Sequence, residues 1–138
     1  MLAALMFITI AACGAAPEPV KVASLPIFAG SKPATDAAHL AVVDAMLTEM
    51  KKTPNLNVAS VEHAAYSVPI DVKWEAVKAF YDPELVKGGF TTDAKLAFAQ
   101  GPVSGQGWIR GKQMVFIYLV SEPALGDGLL VTVLGTQN

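Results

Sequence analysis

Residues 114–120 are the part of the chain that most restricts its fold. Their side chains, Met-Val-Phe-Ile-Tyr-Leu-Val, are all apolar. Because successive side chains of a β-strand point to opposite faces, a strand of this sequence is apolar on both faces. Such a strand lies in the centre of a sheet that is covered on both sides, or it meets a partner.

The flanking segments predict an antiparallel β-meander. Short runs of β-forming residues alternate there with turn residues such as Gly111 and Pro123. We expect strands at 90–98, 105–110, 113–120 and 129–134. A further strand is predicted at 56–68, and Pro69 closes it.

A first helix is predicted by apolar residues at helical spacing. It has Thr35 or Asp36 as its N-cap and runs to about Lys52, because Pro54 then stops it. Its apolar positions are Leu40, Val43, Leu47 and Met50.

A second helix is predicted between Asp71, as its N-cap, and Gly88. Asp82-Pro83 interrupts it, so we expect a kink or a restart with Asp82 as a fresh cap. Its apolar side carries Trp74, Val77, Phe80, Tyr81 and Leu85. Together with Phe90, its aromatic residues either pack in the core or line a ligand groove between helix and sheet, and core packing is favoured.

These elements indicate an α+β fold. The chain has 138 residues, of which 53% are hydrophobic, and this suits one domain with its own core. We expect a single small domain at 25–138, in which an antiparallel sheet of about four to five strands packs with two helices as a two-layer sandwich. The formal net charge is −2 and the sequence has no basic stripe, which argues against nucleic acid as a partner.

Residues 1–12 form an apolar run without charge. The run is too short to cross a bilayer, which takes about 20 apolar residues, but it fits the apolar core of a signal peptide. Its end, Ile10-Ala11-Ala12-Cys13, resembles the lipobox of bacterial lipoprotein precursors, in which a peptidase cuts before a lipid-modified cysteine. The alternative is a buried N-terminal helix with a core cysteine.

The lipobox resemblance implies a cellular location for the protein. Cys13 would carry a diacylglycerol thioether and residues 13–24 would tether the domain to the membrane. Related lipoproteins go to the outer membrane unless Asp follows the cysteine, and here Gly14 follows it. We therefore expect a lipid-anchored protein of the bacterial cell envelope, facing the periplasm at the outer membrane.

A second resemblance begins at Leu25-Pro26-Ile27-Phe28-Ala29-Gly30-Ser31. This segment is similar to the LPxYPGA opening of a group of uncharacterised bacterial lipoproteins and secreted proteins. Tyr66-Ser67-Val68-Pro69 matches their strand, while Phe80-Tyr81, Leu85 and Gly89-Phe90 match their helix motif. The resemblance implies a small helix-on-sheet domain and carries over no functional residue beyond Cys13.

Few residues indicate catalysis or metal binding. His39 and His63 are the only histidines, and they lack the converging ligands that a metal site needs. Gly105-Gln106-Gly107 with Gly111-Lys112 departs from the P-loop spacing, so these glycines are interpreted as turn residues. The possible carboxylate pairs, Glu75 with Glu84 and Glu62 with Asp71, are interpreted as solvated faces and caps.

Trp108 and Arg110 are the candidate binding residues. Trp108 lies on a short, glycine-flanked strand near Arg110, and an exposed pair of this kind is a common binding hot spot. We expect a non-enzymatic protein that binds a partner in the envelope or serves as an accessory subunit, without metal or cofactor. The alternative is a carrier of a small apolar ligand. An apolar cavity of several hundred Å3 between helix and sheet would favour the carrier, and a flat exposed patch with Trp108 would favour the partner binder.

Overall fold

The structure is a computed structural model that describes residues 17–138. The predicted signal peptide and Cys13 lie outside the described residues. Within them the helices are α1 (Ala37–Lys52) and α2 (Trp74–Lys87). The strands are β1 (Lys32–Pro33), β2 (Val58–Val68), β3 (Thr91–Thr92), β4 (Phe98–Gln100), β5 (Val103–Arg110), β6 (Gln113–Val120) and β7 (Gly128–Gln137).

All seven strands belong to one antiparallel sheet in the order β1-β2-β7-β6-β5-β3, with β4 also paired to β5. The α+β class and the single small domain are therefore confirmed, with more strands than the four to five expected. The strand predicted at 113–120 is confirmed as β6, which lies between β5 and β7 at the centre of the sheet.

The two helices lie on opposite faces of this sheet. Met114, Phe116 and Val120 of β6 pack in one cluster with α1, whereas the intervening residues 115, 117 and 119 pack in another with α2. The domain thus has three layers, one more than the two-layer sandwich expected from the sequence. Because both faces of β6 are apolar, both must be shielded from water, and α1 covers one face while α2 covers the other.

Helix α1 begins as predicted. The Asp36 carboxylate accepts hydrogen bonds from the backbone N–H groups of Ala38 and His39 at 2.8 and 3.3 Å. This N-cap satisfies donors that have no partner inside the helix. The buried stripe begins one residue earlier than predicted, because His39 is 4% exposed while Leu40 is 43% exposed.

Helix α2 is continuous from Trp74 to Lys87 and contains Pro83. Its N-cap position is Lys73, without a side-chain hydrogen bond, so the prediction of Asp71 as the cap is wrong. The restart at Asp82 is also wrong, because its carboxylate has another role, described below. The packing of the predicted apolar side is confirmed, with Val77, Tyr81 and Leu85 buried and Trp74 and Phe80 partly buried against the α2-facing core.

The strand predicted at 90–98 is divided in two. Asp93 caps a short 3-10 helix, Ala94–Leu96, by accepting a hydrogen bond from the Lys95 N–H at 2.9 Å. Asp side chains favour such local turns over a continuing strand ladder. The two pieces, β3 and β4, therefore pair with different ends of β5.

The segment predicted as a tether at 13–24 is docked on the domain from Glu18 onward. The Val20 N–H donates to the Gln113 side-chain oxygen, and the Gln113 amide donates back to the Val20 carbonyl, both at 3.0 Å. Arg110 donates to the Glu18 carbonyl at 2.7 Å. The folded unit thus begins before the boundary at residue 25. In the segment that follows, Leu25–Ser31, Phe28 packs on the core whereas Ile27 is 58% exposed.

Candidate functional site

Trp108 is not a surface residue. Its side chain is 0% exposed, and its indole N–H donates to the Asp82 carboxylate at 2.8 Å. Its neighbours in the strand, Gly107 and Ile109, belong to the other face of the sheet, and Trp108 packs among the residues beneath α2. The prediction of an exposed Trp108 hot spot is therefore wrong.

Arg110 makes contacts within the domain. Its guanidinium lies 4.8 Å from the centre of the Phe90 ring. It also donates hydrogen bonds to the Gly88 carbonyl at 2.8 Å and to the Gln113 side-chain oxygen at 3.0 Å. These contacts join the end of α2, the β5–β6 turn and the N-terminal segment, which is a structural role.

An apolar cleft lies between α1 and the sheet, on the face opposite Trp108. Its volume is about 390 Å3. The last turns of α1 form one wall, and strands β4, β5 and β6 form the other. The lining residues are Ala45, Met46, Glu49, Met50, Thr53, Leu56, Phe98, Val103 and Tyr118. Since Phe98 is 43% exposed, the cleft is open to solvent beside β4.

Two glycines of β5 lie beneath aromatic rings of β6 on the face of the sheet that carries the cleft. Gly105 lies in register between Phe98 of β4 and Tyr118 of β6. A Cβ atom at Gly105 would lie 2.8 Å from Cε1 of Tyr118, so the Tyr118 ring extends over the glycine towards β4. Gly107 is covered by two side chains, since its Cβ atom would lie 2.7 Å from Cβ of Leu96 and 2.9 Å from Cε1 of Phe116.

These glycines are strand residues and not turn residues, so the interpretation from the sequence is wrong for Gly105 and Gly107. The rings of Phe116 and Tyr118 stack in parallel, with centroids 6.1 Å apart and 7° between their planes. Glycine in a strand often marks a close approach of another group. Here the close approach of two rings fills the α1-facing side of β5.

The Tyr118 side chain is partly buried, and burial raises the pKa of its hydroxyl to about 12. The hydroxyl makes no hydrogen bond with any group in residues 17–138. It is therefore a neutral donor, free for a ligand, in a cleft that is otherwise mostly apolar.

A second, more polar cavity of about 420 Å3 lies at the start of α1. His39 lines it, and its Nε2 atom is buried without a hydrogen-bond partner among the described residues. The Ser67 hydroxyl donates to Asp127 at 2.8 Å. A hydrolytic triad would instead join the serine to the histidine, so this cavity does not carry that arrangement.

The remaining polar candidates lie on the surface. Glu62, Asp71, Glu75 and Glu84 are all exposed. Glu84 pairs with Lys87 at 3.2 Å, and Glu62 accepts a hydrogen bond from the Val22 N–H at 3.1 Å. Among residues 17–138 no group of three or more His, Cys, Asp or Glu side chains is placed to hold a metal ion.

Searches of protein-family models, curated proteins and solved structures found no match to this chain. In the part of the chain that the structure describes, no helix is both long and apolar enough to span a membrane.

Proposed function

We propose that this protein is a lipid-anchored, non-enzymatic domain of the bacterial cell envelope that carries a small apolar ligand in the cleft beneath α1. The observation that carries the proposal is the cleft itself, an apolar space of about 390 Å3 between helix and sheet. Ligand sites of folded proteins have volumes of roughly 300–1,000 Å3 and a mostly apolar lining.

The alternative is a partner-binding or accessory protein of the envelope. A flat exposed apolar patch that includes Trp108 or the final strands would favour that function. Trp108 is buried, and residues 128–135 of β7 are buried as well. The carrier therefore has the better support.

The anchor is the second part of the proposal. It is supported by Ile10-Ala11-Ala12-Cys13 after an uncharged apolar run. Because the Glu18 carbonyl is hydrogen-bonded to Arg110 of the domain, the chain between Cys13 and Glu18 spans at most roughly 18 Å. A lipid on Cys13 would hold the domain close to the membrane, where apolar ligands are concentrated.

A substitution that fills the cleft tests the carrier. Ala45 lines the cleft and is exposed, so Ala45→Phe inserts a ring without disturbing the core. Ala41, also exposed on α1 but outside the cleft, gives the matched control Ala41→Phe. We expect the neutral dye N-phenyl-1-naphthylamine to bind the native chain and the control, and to lose about tenfold or more in affinity for Ala45→Phe. Equal binding to all three proteins would place the dye elsewhere and contradict the proposal.

A further inference from the structure

The cleft has one hydrogen-bond donor that no other group of the described chain uses. Tyr118 lies in register with Gly105 and Phe98 across three strands. Because Gly105 has no side chain, the Tyr118 ring lies over β5, and Tyr118 lines the cleft together with the solvent-exposed Phe98. A ligand in the cleft would therefore meet a phenol hydroxyl beside β4.

The protonation state of this hydroxyl limits what it can bind. With a pKa raised to about 12 by burial, Tyr118 stays neutral throughout the physiological range. A neutral phenol donates one hydrogen bond to an acceptor such as a carbonyl oxygen.

The charge at the rim limits the ligand further. Among the described residues that line the cleft, Glu49 is the only charged one. Its carboxylate is joined to the Lys52 ammonium at 2.8 Å, and both side chains are largely exposed. Glu49 lines the cleft and Lys52 does not, so a second carboxylate in the cleft would meet a like charge.

The size of the cleft sets the length of the ligand. A water molecule occupies about 30 Å3 of the liquid, so a cleft of about 390 Å3 holds a ligand of roughly a dozen non-hydrogen atoms. This corresponds to one medium-length chain.

We infer that the cleft selects a single medium-length apolar chain that carries a neutral carbonyl group, such as an acyl ester, and that the Tyr118 hydroxyl donates to this carbonyl. Free fatty acids of the same size bind to the cleft more weakly than the neutral ester. The inference rests on the proposed function, because it concerns the same cleft.

Three probes of similar size separate the contributions of charge and of a hydrogen-bond acceptor to binding. Methyl nonanoate and decanoate share the same carbon and oxygen count but differ in charge at pH 8, and pentylbenzene has no acceptor. Each is measured by displacement of N-phenyl-1-naphthylamine from the full chain and from Tyr118→Phe, which keeps the ring and removes the hydroxyl.

We expect the native chain to bind methyl nonanoate about tenfold or more tightly than decanoate. Tyr118→Phe should weaken methyl nonanoate by about 3- to 10-fold, the range for one hydrogen bond between neutral groups, and leave pentylbenzene unchanged. An equal loss for ester and hydrocarbon, or decanoate binding as tight as the ester, overturns the inference while the carrier function stands. If none of the probes displaces the dye, the carrier function fails together with the inference.

Discussion

The substitution Gly105→Ala tests the packing of the cleft floor. Its Cβ atom would lie 2.8 Å from Cε1 of Tyr118 and 3.1 Å from the Ile117 carbonyl oxygen. Real Cβ atoms essentially never lie within 3.0 Å of another heavy atom, so the Tyr118 ring must move away from Gly105. Overpacking of this kind costs about 1–3 kcal/mol.

The net effect is smaller, because alanine also restricts the unfolded chain. That restriction stabilises the protein by about 0.4–1 kcal/mol. We therefore expect a net loss of about 1–2 kcal/mol. At about 4 °C per kcal/mol for a chain of this length, the melting temperature should fall by about 4–8 °C. The displaced ring should also weaken dye binding in the cleft.

Gly135→Ala is the matched control, since Gly135 also lies within a strand. Its Cβ atom would lie 3.3 Å from Cγ1 of Val58, a contact that small shifts relieve. We expect this variant to stay within about 1 kcal/mol of the native protein. Differential scanning calorimetry measures the stability of both variants. The same substitution Gly105→Ala made in a Tyr118→Ala background shows how much of its cost depends on the Tyr118 ring. The argument is refuted if Gly105→Ala costs no more than Gly135→Ala, or if its cost is unchanged without the Tyr118 ring.

Three further predictions concern the anchor, the core and alkaline pH. Cys13→Ala should abolish labelling by a fatty-acid analogue and release the protein from membranes; unchanged fractionation would exclude lipid anchoring. Tyr81→Ala should cost about 3–5 kcal/mol because the ring is fully buried, whereas Tyr81→Phe should cost no more than about 1 kcal/mol, since the buried hydroxyl has at most a weak hydrogen bond, to the backbone of Phe28. Chemical denaturation checks both, and equal losses would contradict the packing argument. Burial raises the pKa of Tyr81 and of Tyr118 to about 12, above the ordinary value of 10.0, so the neutral phenols contribute stability that is complete below pH 10 and is lost as the pH rises through 12. Tyr118→Phe should lose less stability over that range, and an identical pH profile of its melting temperature would disprove the assignment.

The helices and strands that could be predicted are those for which the local sequence pattern and the tertiary packing favour the same structure. Strand β6 follows from residues 114–120, because an apolar run of that kind is stable only when both of its faces are covered. The start of helix α1 follows from Asp36, whose carboxylate accepts hydrogen bonds from free N–H groups of the first turn. Asp71 carries the same signal and is not the cap of α2. A capping residue therefore indicates a helix start more reliably than it fixes its position.

The cleft could not be predicted from residue types alone. It depends on the alignment of Phe98, Gly105 and Tyr118 across three strands, and local patterns do not contain that alignment. A signal was nevertheless present. The pairing of Arg110 with Gln113 beside the turn places Gly107 opposite Phe116 and Gly105 opposite Tyr118. Glycines two apart on one strand of a hairpin, facing aromatic residues two apart on the other, indicate rings laid over glycines.

The same alignment explains the error at Trp108. Glycine beside a tryptophan was interpreted as the mark of a short, exposed strand. In the sheet, Gly107 and Trp108 belong to opposite faces, and the glycine makes room for a β6 ring while the tryptophan packs beneath α2. The residues directly before and after a strand residue point to the opposite face of the sheet. Their types therefore say little about the exposure of the residue between them.

The two glycines of β5 also fix how the β5–β6 hairpin can align. A shift of two residues keeps every side chain on its face, so hydrophobic patterning alone does not prevent it. Shifted one way, Phe116 would face Ile109 in place of Gly107; shifted the other way, Tyr118 would face Val103 in place of Gly105. Either slip forces a ring against a branched side chain, and only the native alignment places both rings over glycine. The two glycines therefore favour a single alignment of the hairpin. We expect replacing both of them to produce a mixture of hairpin alignments as well as a less stable fold.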